Sequence, residues 1–261
     1  MERIAIRAAD GVELDAVIHP AVGPPSATVV QAHGITVDMD EGGMFVRLAD
    51  RLAAVGFTVL RFSYRGHGHS SGGQRGVTIA GELLDFQAAL DVAAVRAPGR
   101  MSVVAASFGA VSACLSLPYV EGQLDSLVLW NPVLDLRRTF VEPELPWGEQ
   151  NYGPGQQELL KSRGCLTVDG EFELGRVLFE EFRLYDPEHA FRSSSTPALI
   201  VHGDHDTAVS YKIAHEAAEQ RGNCAFHTVS GSDHGFDSRE REDEAIRATV
   251  DWLAARHAER S

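Results

Sequence analysis

The stretch Ala105-Ala106-Ser107-Phe108-Gly109 decides how this chain is read. It closes an apolar run, Met101 to Ala106, and opens an apolar, helix-compatible segment, Phe108 to Leu117. A serine boxed by small residues between a strand and a helix marks a sharp elbow that holds a nucleophile at its tip. The small residues two positions to either side, Ala105 and Gly109, let strand and helix crowd together. Serine is a weak nucleophile at its own pKa. An elbow serine therefore needs a base, a carboxylate to orient that base, and donors for an oxyanion.

Outward from the elbow, the chain alternates between strand and helix patterns. Arg3 to Arg7 and Val12 to Ile18 alternate apolar and polar around Asp10-Gly11, a hairpin signature. A Gly/Pro/Ser-rich turn, Gly23 to Ser26, leads into the short run Thr28 to Ala32, which ends at His33-Gly34. Phe45, Leu48, Leu52 and Val55 mark one helical face, with Gly56 as its C-cap. Phe57 to Phe62 reads as a buried strand. Leu83, Leu84, Phe86, Leu90 and Val95 fall in a second helix, stopped near Pro98-Gly99. Leu127 to Trp130, Ala198 to Val201 and Ala225 to Val229 complete the strands, and Ile246, Val250 and Leu253 stripe a closing helix. This alternation predicts an α/β fold: a mostly parallel sheet covered by helices on both faces, after an antiparallel start.

Between Trp130 and Pro197 the chain runs far longer than one crossover requires. Leu166 to Val168, the turn Asp169-Gly170, and Glu171 to Leu174 read as a small hairpin, and Val177, Leu178, Phe179, Phe182 and Leu184 as a helix. Residues 133–192 are expected to form an inserted cap over a core of residues 1–132 and 193–261. Insertions of this kind carry binding residues.

With 261 residues, 44% hydrophobic and 23% charged, the composition suits a globular domain with a sizeable core. A formal net charge of −14 without a basic block argues against nucleic acid or an anionic membrane as partner. Cys114, Cys165 and Cys224 are odd in number and far apart, which speaks against a disulfide framework and for a reducing compartment. Met1-Glu2-Arg3-Ile4 is charged and strand-like, and no apolar stretch has the length of a membrane span. A cytoplasmic location is the expectation, and a homodimer is compatible with the sequence.

On an elbow fold the triad partners follow the serine in the order acid, then histidine. Past the strand Ala198 to Val201 comes His202-Gly203-Asp204-His205-Asp206-Thr207, a polar turn at a strand's C-terminal end, where ligands gather in open α/β sheets. Asp204 and Asp206 compete there for the role of acid. His234, in Ser232-Asp233-His234-Gly235-Phe236 beyond the last strand, is the histidine candidate. Gly235 allows a tight path and Phe236 can pin the loop. Oxyanion donors are expected from the backbone N–H of Phe108, at a helix N-terminus, and of Ile35, after Gly34 in the loop following an earlier strand.

These pieces resemble those of α/β-hydrolase-fold serine hydrolases over nearly the whole chain. The matching motifs are His33-Gly34, Tyr64-Arg65-Gly66-His67-Gly68-His69-Ser70, the elbow at Ser107, His202-Gly203 with Asp206 and Val209, and Asp233-His234. In that family the acid stands three residues after the glycine, which selects Asp206 over Asp204. Two positions depart from the pattern. Ala105 replaces a usual glycine, a tolerable exchange between small residues. Ser63 stands where an aspartate is common, which removes one partner of an expected salt bridge. The cap resembles that of the cinnamoyl (feruloyl) esterase-like and serine-aminopeptidase-like (S33-type) groups.

The resemblance implies a carboxylic-ester hydrolase of small-molecule esters, with a cinnamoyl-type or short acyl group, that works through an acyl-enzyme without cofactor or metal. Ser107, Asp206 and His234 would be its triad. A thioesterase or acyltransferase on a carrier-bound acyl group shares the same chemistry, and a non-catalytic receptor would carry a broken triad. His202, Asp204, His205 and Asp206 are dense enough to suggest zinc, but His67-Gly68-His69 is followed by Ser70-Ser71 rather than by further ligands. His67 and His69 read as loop-packing residues and Cys114 as core. Trp147, Tyr152, Phe172 and Phe179 either line an aromatic acyl pocket or fill the cap's own core.

Overall fold

A computed structural model describes residues 1–96 and 99–258. Of the helix stop expected at Pro98-Gly99, Pro98 lies outside the described residues.

Among the described residues eight strands form one sheet. β1 (Glu2–Arg7) and β2 (Glu13–His19) make the antiparallel opening hairpin. The parallel part comprises β3 (Ala27–Ala32), β4 (Phe57–Phe62), β5 (Met101–Ala106), β6 (Leu124–Trp130), β9 (Ala198–Gly203) and β10 (Cys224–Val229). The spatial order is β1-β2-β4-β3-β5-β6-β9-β10. This is the α/β-hydrolase fold. β3 and β5 are buried along their whole length, as expected of central parallel strands covered on both faces.

The order reverses between β3 and β5. After β3 the chain goes to β4 on one side, and after β5 to β6 on the other. The loops leaving β3 and β5 therefore diverge and leave a crevice at their C-terminal ends. His33-Gly34 leaves β3 into that crevice and Ser107 leaves β5 into it.

Helices cover both faces. α2 (Ile79–Arg96), α3 (Gly109–Val120), α7 (Pro187–Ser193) and α8 (Tyr211–Glu219) enclose a core with Phe86, Leu90, Leu117, Phe191 and Ala217. On the opposite face α1 (Met44–Ala54) and α9 (Arg239–Ala258) enclose Phe45, Leu48, Trp130, Ile246 and Leu253. Phe45, Leu48 and Leu52 face inward, but Val55 lies past the end of α1 and is half exposed, because the chain turns away at Gly56 with φ +95°. In α2, Leu84 and Val95 are exposed while Glu82 and Asp85 are buried. Arg65 explains the burial of Asp85: its backbone N–H and guanidinium both donate to that carboxylate, and the guanidinium also meets Asp10. The arginine is thus paired without an aspartate at 63. Ser63 instead accepts from the Met39 N–H at 3.1 Å.

The long crossover between β6 and β9 contains α4 (Pro146–Tyr152), α5 (Pro154–Arg163), the hairpin β7 (Cys165–Val168) and β8 (Phe172–Gly175), and α6 (Arg176–Glu181). A third apolar cluster sits beneath it. Phe140, Tyr152, Phe172, Leu174, Phe179 and Phe182 pack there against Ile79, Phe108 and Val111. Val177 and Leu184, read as part of a helical stripe, are exposed.

At the elbow, α3 starts hard against β3. A Cβ on Gly109 would lie 2.5 Å from the carbonyl oxygens of both Ala32 and His33. These are backbone atoms in the sheet's centre and cannot yield. Ala105 sits fully buried in the main core, so its methyl is accommodated. Gly109→Ala is expected to destabilise the fold by about 1–3 kcal/mol. An unchanged urea midpoint would contradict this account of the elbow.

Candidate active site

Ser107 has φ +50°, a left-handed conformation that costs a non-glycine residue energy and needs external support. The support is bonded on both sides: the Ser107 N–H donates to the Trp130 carbonyl at 2.8 Å, and the Val133 N–H donates to the Ser107 carbonyl at 3.0 Å. Trp130 itself is fixed by its indole N–H on Thr249 and by edge contact with Phe236. Phe236, buried two residues after His234, ties the histidine loop to the same anchor.

The structure brings Ser107, His234 and Asp206 into one chain of contacts. His234 Nε2 lies 3.1 Å from Ser107 Oγ, and His234 Nδ1 lies 2.8 Å from Asp206 Oδ2. Asp206 Oδ1 accepts from the N–H groups of Ala208 and Val209, both at 2.8 Å. Burial works against its charge, but His234 and these N–H groups outweigh it and hold the carboxyl below its ordinary range. With Nδ1 donating to that carboxylate, Nε2 is left to accept from the serine hydroxyl.

Asp204 stands apart from the serine and accepts from the Gly231 N–H, bracing the two loops. Asp233 performs a similar service. It accepts from the Thr207 N–H and hydroxyl and from the His234 N–H, locking the acid loop to the histidine loop. His202 is buried, with Nδ1 3.1 Å from the Gly203 carbonyl oxygen. Among the described residues no group of three or more His, Cys, Asp or Glu is arranged to hold a metal ion. All three cysteines are free thiols, and Cys114 is buried.

Ile35 and Phe108, the residues whose N–H groups the sequence offers as oxyanion donors, are both buried, and neither N–H has a hydrogen-bond partner among the described residues. Gly34 lets this loop approach Ser107, since a Cβ there would stand 3.2 Å from Ser107 Cβ. His33 is buried. Its Nε2 accepts from the Tyr64 N–H at 2.9 Å, so Nδ1 carries the proton and donates to the Gly34 carbonyl at 2.7 Å. Burial pushes the His33 pKa well down, in keeping with this neutral tautomer. His67 is buried and stacks on Phe172, with Nε2 2.5 Å from the Ile35 carbonyl oxygen, whereas His69 is exposed.

A cavity of about 240 Å³ opens onto Ser107 and His234. Its walls are mainly apolar, with Ile35, Val133, Phe140, Trp147 and Val209 prominent. Of the four aromatics singled out from the sequence, Trp147 reaches this cavity, while Tyr152, Phe172 and Phe179 are buried in the crossover's core. Phe140, Glu41 and Asp169 also line it and were not recognised in the sequence. In the sequence Asp169 reads as a turn residue. Its carboxylate accepts from the Trp147 indole and from Asn151. Glu41 was hidden in an acidic loop, and the one available signal was the Gly42-Gly43 pair that follows it.

Comparison with known proteins agrees with this architecture. A family model described as serine aminopeptidase, S33, matches residues 23–160, more than half of the chain. The chain belongs to that family. The S33 match includes the elbow and stops before Asp206 and His234. Est1E from Butyrivibrio proteoclasticus, solved with ferulic acid bound, superposes with a TM-score of 0.81 at 21% identity over 98% of this chain and 99% of that one. A putative hydrolase from Agrobacterium vitis S4 gives 0.77 at 22% identity over 95% and 96%. The Pyrococcus furiosus esterase Pf2001 gives 0.73 at 22% over 97% and 89%. At these identities the likeness is one of fold. No curated protein sequence matches the chain.

The electrostatics give the site a definite pH response. Burial disfavours a charged His234, but Asp206, joined by Glu41 and Asp233, overrides it and raises the pKa above the ordinary 6.5. A base at His234 works in its neutral form, so activity falls as pH drops through that raised pKa. The acid limb of kcat/KM is expected to have its midpoint above 6.5, and Asp206→Asn should lower that midpoint. A midpoint at or below 6.5 in the wild-type protein would count against this reading.

Proposed function

We propose that this protein is a serine carboxylic-ester hydrolase. The observation that carries the reading is the unbroken contact chain from Ser107 Oγ through the His234 ring to the buried Asp206 carboxylate. In the proposed reaction Ser107 Oγ attacks the ester carbonyl carbon while its proton passes to His234 Nε2. The Ile35 and Phe108 N–H groups take the oxyanion. The tetrahedral species collapses, the carbonyl–alkoxy bond breaks, and His234 returns the proton to the leaving alcohol. A water molecule then attacks the acyl-enzyme as its proton goes to His234. Collapse of the second tetrahedral species releases the acid and restores the serine. Asp206 holds the tautomer and stabilises the charged imidazolium throughout.

A cavity of about 240 Å³ walled by Phe140 and Trp147 supports a compact acyl group, either short and aliphatic or bearing one aromatic ring. Est1E, with its bound ferulic acid, is a precedent for the aromatic choice on this fold. In this reading the crossover serves as a cap whose residues set the acyl group. Three free thiols favour a reducing compartment.

Ser107→Ala is expected to lower kcat on 4-nitrophenyl acetate by about three orders of magnitude or more, with an unchanged thermal midpoint. Wild-type protein should show a burst of nitrophenol equal to the enzyme concentration whenever deacylation is the slower step. Presenting one acyl group as ester, thioester and amide tests the leaving group, and a higher kcat/KM for the thioester or amide would replace the ester assignment. Full turnover by the alanine variant would remove Ser107 from the mechanism.

A further inference from the structure

Glu41 lies beside the nucleophile, yet it is neither part of the Ser107–His234–Asp206 chain nor a surface charge. Its Oε2 accepts from the Gly34 N–H at 2.8 Å. Its Oε1 and Ser107 share the space that a Gly34 side chain would occupy: a Cβ there would sit 3.6 Å from Oε1 and 3.7 Å from Ser107 Oγ. The carboxyl lines the same cavity as Ser107 and His234. Glu41 adopts φ +47°, and the two glycines after it also have positive φ, so the backbone is bent unfavourably to aim this side chain inward. Five described non-glycine residues carry a left-handed φ, and three of them, Glu41, Ser107 and Asp169, line this one cavity. Strain gathered in this way marks residues whose placement matters.

We infer that Glu41 is a positioning residue for the oxyanion loop, holding Gly34 so that the Ile35 N–H faces the reacting carbonyl. The inference rests on the ester-hydrolase reading of Ser107. Gly34 C=O and Ile35 N–H belong to one planar trans peptide and point in opposite directions. His33 Nδ1 draws that carbonyl toward the interior at 2.7 Å, so the N–H turns the other way. His67 Nε2 sits against the next carbonyl, that of Ile35, at 2.5 Å. His33 thus fixes the carbonyl of residue 34, and His67 packs against that of residue 35. Glu41 fixes the N–H of residue 34, the one remaining handle on the turn that precedes the donor. Gly34 lacks a Cβ and has the freest backbone in the loop, so this handle removes the largest source of misalignment.

The hydrogen bond survives protonation of the carboxyl. Burial, opposed by the Gly34 hydrogen bond and by His234 and reinforced by Asp38, pushes the Glu41 pKa up to about 7. In either form one oxygen remains to accept from Gly34. An amide oxygen meets the same need, whereas a hydrocarbon side chain does not.

The test compares Glu41→Ala, Glu41→Met and Glu41→Gln with the wild-type protein on 4-nitrophenyl acetate. The methionine fills the volume without an oxygen acceptor and serves if the alanine variant unfolds, with folding checked by thermal melting. An oxyanion donor acts in the transition state, so Ala and Met should lower kcat by about 10–100-fold while KM moves less than about threefold. Gln should recover most of the loss, to within about fivefold of wild type, because its carbonyl oxygen still reaches Gly34. The inference is overturned if Ala and Met keep kcat within about threefold of wild type, if KM carries the loss, or if Gln falls as far as Met. Ser107→Ala run in parallel separates the two readings. Turnover retained there removes the ester-hydrolase reading itself, whereas turnover lost there with Glu41 variants at wild-type rates removes only the role of Glu41.

Discussion

The whole site depends on how closely α3 is allowed to approach the end of β3. At Gly109 a single added carbon would come within 2.5 Å of two main-chain oxygens. That contact puts the N-terminus of α3, with its free Phe108 N–H, directly beside the loop that carries Ile35. It also forces Ser107 into a left-handed turn between strand and helix. The turn costs energy locally, of order 1–3 kcal/mol for a residue of this kind. It is offset by two main-chain hydrogen bonds at Ser107 and by burial of the flanking segments on both sides. Because β3 and β5 adjoin where the strand order reverses, the same contact fixes the floor of the crevice between their outgoing loops.

Charge placement is the second constraint, and here the balance of opposing effects matters. A buried carboxylate costs several kcal/mol unless it is paired. Asp206 has two N–H donors and the His234 ring to offset that cost, and the net effect favours its charged form. Glu41 has one N–H donor and a more distant imidazole, and burial wins there, lifting its pKa. Two acids near one histidine are thereby driven apart. One stays ionised and orients the ring, while the other changes charge close to neutral pH.

Much of this was legible in the chain. The elbow, the order of acid and histidine, and the alternation of strands and helices are local patterns written in a few contiguous residues. What escaped was set by tertiary contact. Leu84 and Val95 look like core in α2, yet the helix turns Glu82 and Asp85 inward, because Arg65 and Asp10 come from distant segments to meet Asp85. Glu41 stands among Asp38 and Asp40 with no motif to single it out, and the left-handed bend at 41 to 43 that accompanies its place in the cavity is a feature of the folded chain. Other elements did leave signals. α4 and α5 each begin on a proline, Pro146 and Pro154, a residue suited to the first helical turn. α8 begins with Ser210 accepting from the Ile213 N–H, an N-cap followed by Ile213, Ala214 and Ala217 on its buried face.

The Ser107–His234–Asp206 contact chain and the walls of the cavity come from different parts of the molecule. Ser107, His234, Asp206 and the loop at Gly34 follow the C-terminal ends of sheet strands, and the loops of Asp206 and His234 are tied by the His205 N–H donating to the Ser232 carbonyl at 3.0 Å. Phe140, Trp147 and Asp169 come from the crossover and are held by packing within its own aromatic cluster. The clusters meet at Phe108, whose ring packs against Phe140 and Phe182 at the start of α3. Through that ring the crossover bears on the start of α3, and it reaches the acid loop as well: the Trp147 N–H donates to the Thr207 carbonyl at 3.2 Å, and Ala208 and Val209 pack in the same apolar cluster. Those two residues supply the N–H donors to Asp206 Oδ1, so a substitution in the crossover wall bears both on the space beside Ser107 and on the hydrogen bonds that set the charge of Asp206. Cavity shape and acid placement are therefore coupled in this fold, through Phe108 on one side and Trp147 on the other.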